Sequence, residues 1–367
     1  MTQARAVHEA TRRGVEAAPA ADGLSWGDAL REHWRTRLGD CDEADEIIGL
    51  LANSLAPSTM GAYGGHLARF IRWCSSRPDK PSPLPASTTT VVRWVVSDVV
   101  KGDRVKAGSL QPYLSALNRV HRDLEFEEPA LGHVVQQVRR AIALRQTGQG
   151  RGTQRVYLPP PVVEQVLEWA LAQPLSVLRV ETRRRQLFRA AVGVVLAFCI
   201  FCRGHTGSAL RVDDVRRSAA GVTITLDNEK GKQVNGVART ITFPQGAIPG
   251  LEELLERWEE LRGDTVAACY FAFGHERRRV FDPSAVDGWL DEILGHLGAS
   301  APAGEAWTGH SLRKGAASGA GAIDIALFRI CYMGGWSVRG AAVHDYIDAS
   351  CPATPAARRF FGWLLRA

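Results

Sequence analysis

Residues 190–202 read AAVGVVLAFCIFC, the longest apolar run in the chain, and they end directly on Arg203. A bilayer takes about 20 apolar residues of helix, so this run is too short to cross one. As a helix it is hydrophobic on every side, which means burial inside a folded domain. The chain can supply that domain: 367 residues and 40.0 kDa suit two domains of ordinary size. With 45% hydrophobic and 23% charged residues, wholesale disorder is excluded. The polar start MTQARAVHEATRRG lacks the apolar core of a signal peptide. Seven cysteines, an odd number without framework spacing, fit a reducing compartment. The expected class is a soluble intracellular protein with no membrane partner.

The stretch QTGQGRGTQR, residues 146–155, has three glycines, two arginines and no apolar side chain, the composition of a linker. The expected layout is a mobile extension with one amphipathic helix (1–45), a helical module (46–145), a linker (146–157) and a larger domain (158–367). Net charge is +6, too slight to name a partner. Divided by region it is −3 over 1–45, +5 over 46–150 and +4 over 151–367, so an acidic start hides a basic body.

In the first half the apolar period is helical. Trp26, Leu30, Trp34 and Leu38 recur every four residues behind the candidate N-cap Ser25. Ser58 is read as the cap of a helix with Met60, Tyr63, Leu67, Phe70 and Cys74 inward. Val92, Val95 and Val99 mark a second, and Ser109 is read as capping a third with Leu110, Tyr113, Leu114, Leu117 and His121 on one face. Val134, Val138, Ala141 and Ile142 define a fourth, with Arg139, Arg140 and Arg145 outside. In the second half, Pro residues in LPPPVVEQVLEWAL suit a helix start. Val222–Leu226 and Val237–Phe243 alternate as the strands of a β-hairpin, its tip DNEKGKQVNG carrying Lys230 and Lys232. The fold class is thus mainly α with a small β-hairpin or sheet in the C-terminal domain, an α+β arrangement.

Three patterns carry chemistry. Arg203 closes the apolar run; a charge there is costly unless it meets a polar cleft or a partner, and the plainer reading is that the helix surfaces. Lysines on a hairpin tip are ordinarily solvated. Within TGHSLRKGAAS, His310 and Arg313 share a helix face if the helix starts near Thr308 or Gly309, and a Gly334-Gly335 turn, Trp336 and Tyr346 follow.

In this order, Arg203, Lys230, His310-x-x-Arg313, Trp336 and Tyr346, the chain resembles the tyrosine recombinase (phage integrase) family. Leu210 and Asp214 stand where that family has its leucine and aspartate before the hairpin. STMGAYGGHLARFIRWC and SLQPYLSALNRVHRD resemble its helical core-binding domain. HSLRKGAAS, GGWS and YID are most similar to recombinases of eukaryotic mobile elements of the DIRS and Crypton kinds. Two positions depart: Thr206 replaces the acidic residue usual three after the first arginine, and Trp336 to Tyr346 is ten residues, one more than in bacterial and phage members.

The resemblance implies a helical core-binding domain followed by a catalytic domain, and DNA strand exchange through a covalent 3′-phosphotyrosine. Tyr346 is then the nucleophile and Lys230 the general acid. Arg203 and Arg313 clamp the phosphate oxygens, and His310 and Trp336 donate further hydrogen bonds. It implies double-stranded DNA as partner, a homotetramer on synapsed sites, and no cofactor or metal; no P-loop or two-metal carboxylate cluster is read from the sequence. An intracellular site follows, nuclear in a eukaryote and cytoplasmic or nucleoid otherwise. The other reading is an element-derived DNA-binding protein without catalysis. Cys199-x-x-Cys202 is read as buried thiols, His205 and His344 as surface or packing residues, and Tyr332 as a packed phenol. The C-terminal Phe360, Phe361, Trp363 and Leu364 fit either a neighbouring protomer or their own domain.

Overall fold

The computed structural model describes residues 26–366, apart from 40, 56, 102–104, 147–153, 228, 230–237, 264–268, 274, 277–280 and 283. Ser25, Lys230, Lys232 and Val237 therefore lie outside the described residues, as does the extension before Trp26. The chain divides into two units, Met1–Gly150 and Arg151–Ala367, each with its own core.

In its described residues the first unit is helical: α1 (Trp26–Leu38), α2 (Ala44–Ala52), α3 (Pro57–Ser75), α4 (Thr88–Trp94), α5 (Gln111–Asp123) and α6 (His133–Gln146). α4 is capped by Ser87, whose hydroxyl accepts from the Thr90 N–H at 3.1 Å, and runs into a π-helical segment, Val95–Val100. Leu67, Phe70 and Cys74 of α3, Val91, Trp94, Val95 and Val99, and Leu114 and Leu117 of α5 form the core. Three local expectations shift. α3 begins at Pro57, so Ser58 sits inside the first turn; proline is pre-set for that position. Ser109 belongs to a 3₁₀ turn and α5 begins at Gln111, where Pro112 again favours the first turn. On α6 the inward stripe is Val135, Val138 and Ile142, while Val134 and Ala141 face solvent.

The second unit is built around the apolar run. It contains α7 (Pro160–Leu171), α8 (Leu175–Val180) and α9 (Thr182–Cys199), followed by α10 (Gly204–Ser208). Residues Leu187 to Cys202 are all buried, with α7, α12 (Ala285–Leu297) and α13 (Gly309–Ala322) packed against α9. Gly193 shows why the run is not uniformly bulky: a Cβ there would stand 2.4 Å from the Trp289 ring of α12. The sheet has three antiparallel strands, β2 (Val215–Ser218), β3 (Gly221–Leu226) and β4 (Arg239–Pro244), with Val222 opposite Phe243 and Ile224 opposite Ile241. The hairpin was legible because its inward residues alternate. β2 was not, because VRRS buries only Val215. α11 (Leu251–Arg262), α14 (Leu327–Gly334) and α15 (Pro355–Phe361) are further helices, and a two-residue parallel pair joins β1 (Gln154–Arg155) to β5 (Glu305–Ala306). The fold is mainly helical with a small antiparallel sheet, as expected.

Phe360 and Phe361 pack on Phe198 and Phe201 of their own unit, with ring centroids 5.2–5.4 Å apart. Cys199 and Cys202 are buried thiols, and burial pushes both pKa values up, that of Cys202 to about 12. No metal-ligand cluster and no helix long and apolar enough to cross a membrane occurs among the described residues.

Candidate active site

The helix that carries His310 and Arg313 is fixed at its start. Thr308 caps α13, its hydroxyl accepting from the His310 N–H at 3.3 Å, while Ser311 returns a bond to the Thr308 N–H at 3.1 Å. The Gly309 N–H donates to the Asp287 carboxylate of α12. Small residues let α13 sit deep: a Cβ at Gly315 would meet the Leu158 carbonyl at 2.0 Å, and one at Gly319 would meet Pro160 at 2.8 Å.

Arg313 is fully enclosed. It donates to the Phe201 carbonyl at 2.5 Å and to the Gly334 carbonyl at 2.6 Å, while its Nε has no partner among the described residues. The Trp336 ring covers its guanidinium at 3.8 Å and the Tyr346 ring lies at 5.1 Å, both within cation–π range. Burial first, then the neighbouring Arg203, pushes its pKa down to about 10, so it is still cationic at neutral pH. Both anchoring carbonyls come from tightly constrained positions. Phe201 occupies the left-handed region at φ +51°, a strained place for a bulky side chain. Gly334 leaves room for Trp336, since a Cβ there would stand 1.9 Å from its ring, and Gly335 ends α14 at φ +64°.

Arg203 holds the N-cap position of α10 in extended backbone, half-buried; its carbonyl accepts from the Thr206 and Gly207 N–H groups at 2.9 and 3.0 Å, while its side chain makes no hydrogen bond or ion pair among the described residues. It is close enough to depress the pKa of both Arg313 and His205, the latter mainly lowered by burial. Thr206, three residues on, is buried, and its hydroxyl has no partner among the described residues.

The Tyr346 hydroxyl is 2.9 Å from His310 Nε2, and its ring packs at 4.9 Å from Trp336. Beside them a depression of about 260 Å³ is lined by Val156, His310, Ser311, Lys314, Asp345 and Tyr346. The backbone that carries Tyr346 is itself held: the Ser318 hydroxyl donates to the Tyr346 carbonyl at 3.1 Å and accepts from the Asp348 N–H at 2.9 Å.

Of the six residues singled out by sequence, the structure brings Arg313, Trp336 and Tyr346 into contact, adds His310 through the Tyr346 hydroxyl, and sets Arg203 within electrostatic reach. Lys230 lies outside the described residues; the adjoining Glu229 is buried and forms a bidentate pair with Arg239 at 2.5 and 2.7 Å. Arg239 also donates to the Met333 carbonyl, which ties the hairpin base to the end of α14. Tyr332, expected to pack, is exposed, because its hydroxyl reaches the Thr240 carbonyl at 2.5 Å on the rim of the sheet. Sequence reasoning missed Asp287, Lys314 and Ser318. The last two were accessible in principle, since they follow His310 by four and eight residues on one helix.

The sequence matches no family model and no curated protein. Solved structures do match its fold. A XerH site-specific recombinase bound to palindromic difH substrate in a post-cleavage complex superposes with TM-score 0.60 at 13% identity, covering 88% of this chain and 90% of that one. The integrase of transposon Tn1549, in complex with transposon right-end DNA, gives 0.53 at 10% identity, covering 94% and 100%. A lambda integrase dimer bound to a COC′ core site gives 0.52 at 16%, covering 84% and 94%. The chain has the fold of the tyrosine recombinases and integrases.

Proposed function

We propose that this chain is a tyrosine recombinase that cuts and rejoins DNA strands site-specifically through a covalent 3′-phosphotyrosine. The observation that carries this reading is the convergence of one phenol, Tyr346, with His310 at 2.9 Å and the guanidinium of Arg313. Phosphoryl transfer needs positive charge and hydrogen-bond donors around the non-bridging oxygens. The Arg203 guanidinium, the Arg313 Nε and the Trp336 indole N–H are such donors, and none has an acceptor among the described residues. Since Arg313 is covered by Trp336 and Tyr346 in the free protein, an incoming phosphate must shift that aromatic cover to reach it.

In the proposed reaction the Tyr346 oxygen, its proton passing to His310 or solvent, attacks phosphorus in line with the 5′ oxygen. The P–O5′ bond breaks and the departing oxygen takes a proton, for which Lys230 is the proposed general acid. A phosphotyrosine ester replaces a phosphodiester, so a 5′-hydroxyl can reverse the step without nucleotide hydrolysis, and the arginines supply fixed positive charge. Double-stranded DNA is the proposed partner, with a tetramer on two synapsed sites. A mobile-element role, and a nuclear or nucleoid location, belong to the same proposal. The run HSLRKGAAS, GGWS and YID supports the element origin.

The test begins with duplexes selected by binding from a random-sequence pool. Binding should weaken steeply with added salt, as phosphate contacts require. Nicked versions of those duplexes should trap a protein–DNA adduct that survives denaturation. Tight binding with no adduct on any selected site would favour the non-catalytic DNA-binding alternative.

A further inference from the structure

His310, Lys314 and Ser318 occur at every fourth position of α13 and so form one stripe along the helix. All three touch the segment 346–348. His310 meets the phenol at 2.9 Å, the Lys314 ammonium lies 3.4 Å from the Asp348 carboxylate, and Ser318 bonds the backbone at both Tyr346 and Asp348. Between those two residues Ile347 lies against Gly321, where a Cβ would come within 3.3 Å of it. The nucleophile's backbone is thereby gripped on both sides by a single hydroxyl that is almost fully buried.

We infer that Ser318 is a positioning residue for the Tyr346 nucleophile, with the Lys314–Asp348 pair as a second anchor. The inference rests on the strand-transfer reading above and assigns Ser318 no contact with DNA. A serine hydroxyl suits the task because it donates and accepts at once, and Ser318 uses both capacities on the one segment that must deliver Tyr346. Removing it leaves the Asp348 N–H and the Tyr346 carbonyl without that partner. The phenol is then free to leave the in-line position, and misplacement by about 1 Å can cost on the order of 10²-fold in rate. The Asp348 carboxyl is held below its usual range, chiefly by the Ser350 hydroxyl and also by Lys314, so it is ionised at neutral pH.

The experiment measures, on one selected nicked duplex, both affinity and the first-order rate of adduct formation from the bound complex. Ser318→Ala should slow adduct formation roughly 10- to 100-fold at unchanged affinity. Ser318→Thr, which keeps the hydroxyl, should recover most of the rate, as a merely space-filling role would not require. Lys314→Asp and Asp348→Lys should each slow the step, and the double exchange should restore it. Should Ser318→Ala lower the melting midpoint, the exchange at the partly exposed pair decides. A wild-type rate in Ser318→Ala overturns the inference, as does Ser318→Thr being as slow as Ser318→Ala, or a double exchange no faster than the single ones. No adduct with the wild-type chain on DNA that it binds overturns the strand-transfer reading and this inference with it, and so is distinguishable from failure at Ser318 alone.

Discussion

Buried polar residues fare differently at the core of the first unit and at the candidate site of the second. In the first, His121, Asn118 and Thr90 are each satisfied. The His121 ring lies between the Leu117 carbonyl at 2.7 Å and the Ala86 N–H at 2.8 Å. Asn118 accepts from the Ala130 N–H at 2.9 Å, and Thr90 pairs with Ser87 at 2.9 Å. In the second, the Arg313 Nε, the Thr206 hydroxyl and the Arg203 side chain have no hydrogen-bond partner among the described residues. A buried polar group without a partner costs about 1–3 kcal/mol, so a core keeps such groups only where something else uses them. The satisfied groups of the first unit serve its fold. In the second, the spare Arg313 Nε belongs to a guanidinium 5.1 Å from the Tyr346 ring, where under the proposed function a phosphate would complete it.

The largest effect that could break this contrast is at Arg203. Arg203→Ala should leave the melting midpoint unchanged, since no partner is lost, yet lower the adduct-formation rate by about 10²–10³-fold. A matching loss of stability in thermal denaturation would instead make Arg203 a structural residue. The reverse is expected in the first unit. Asn118→Ala should cost about 1–3 kcal/mol in urea unfolding by stranding the Ala130 N–H, while the rate of adduct formation from bound, folded complex stays at the wild-type value.

Acid sharpens the same point. Burial lowers the pKa of His121 from 6.5 in the folded chain. As pH falls below about 6.5 the unfolded chain takes up the proton first, so stability is lost progressively below that pH and is unaffected above it. Urea unfolding between pH 7.5 and 5 should show this decline, and His121→Gln, though less stable throughout, should lack the part due to His121. The smallest change is expected at Thr206. Thr206→Val exchanges an unpaired hydroxyl for a methyl of the same shape and should be neutral or stabilising by up to about 1 kcal/mol. A clear destabilisation in the same unfolding assay would show that the hydroxyl has a partner in solution.

What was legible in the sequence follows the same division between local and distant causes. The helical face of α5, the alternation of β3 and β4, and the His310–Arg313 spacing are local, and periodicity displays them. Helix starts moved where Pro57 and Pro112 set the first turn, and α6 turned by one residue because packing, not its own sequence, selects Val135 over Val134. At the site, residue types and order marked Arg203, His310, Arg313, Trp336 and Tyr346. Long-range partners were invisible: the Phe201 carbonyl that anchors Arg313 is 112 residues away, and the Asp287 cap of α13 is 22 away. Ser318 and Lys314 became meaningful only once the chain was seen to return Tyr346 onto the same helix.

The most direct measurement is to locate the DNA on the protein. The adduct trapped on a nicked, selected duplex is digested with nuclease and protease, and the peptide that retains a nucleotide is identified by mass spectrometry. The account predicts a 3′-phosphonucleotide on Tyr346 alone and no adduct from Tyr346→Phe. A nucleotide on any other residue, or an adduct that persists in Tyr346→Phe, would contradict it.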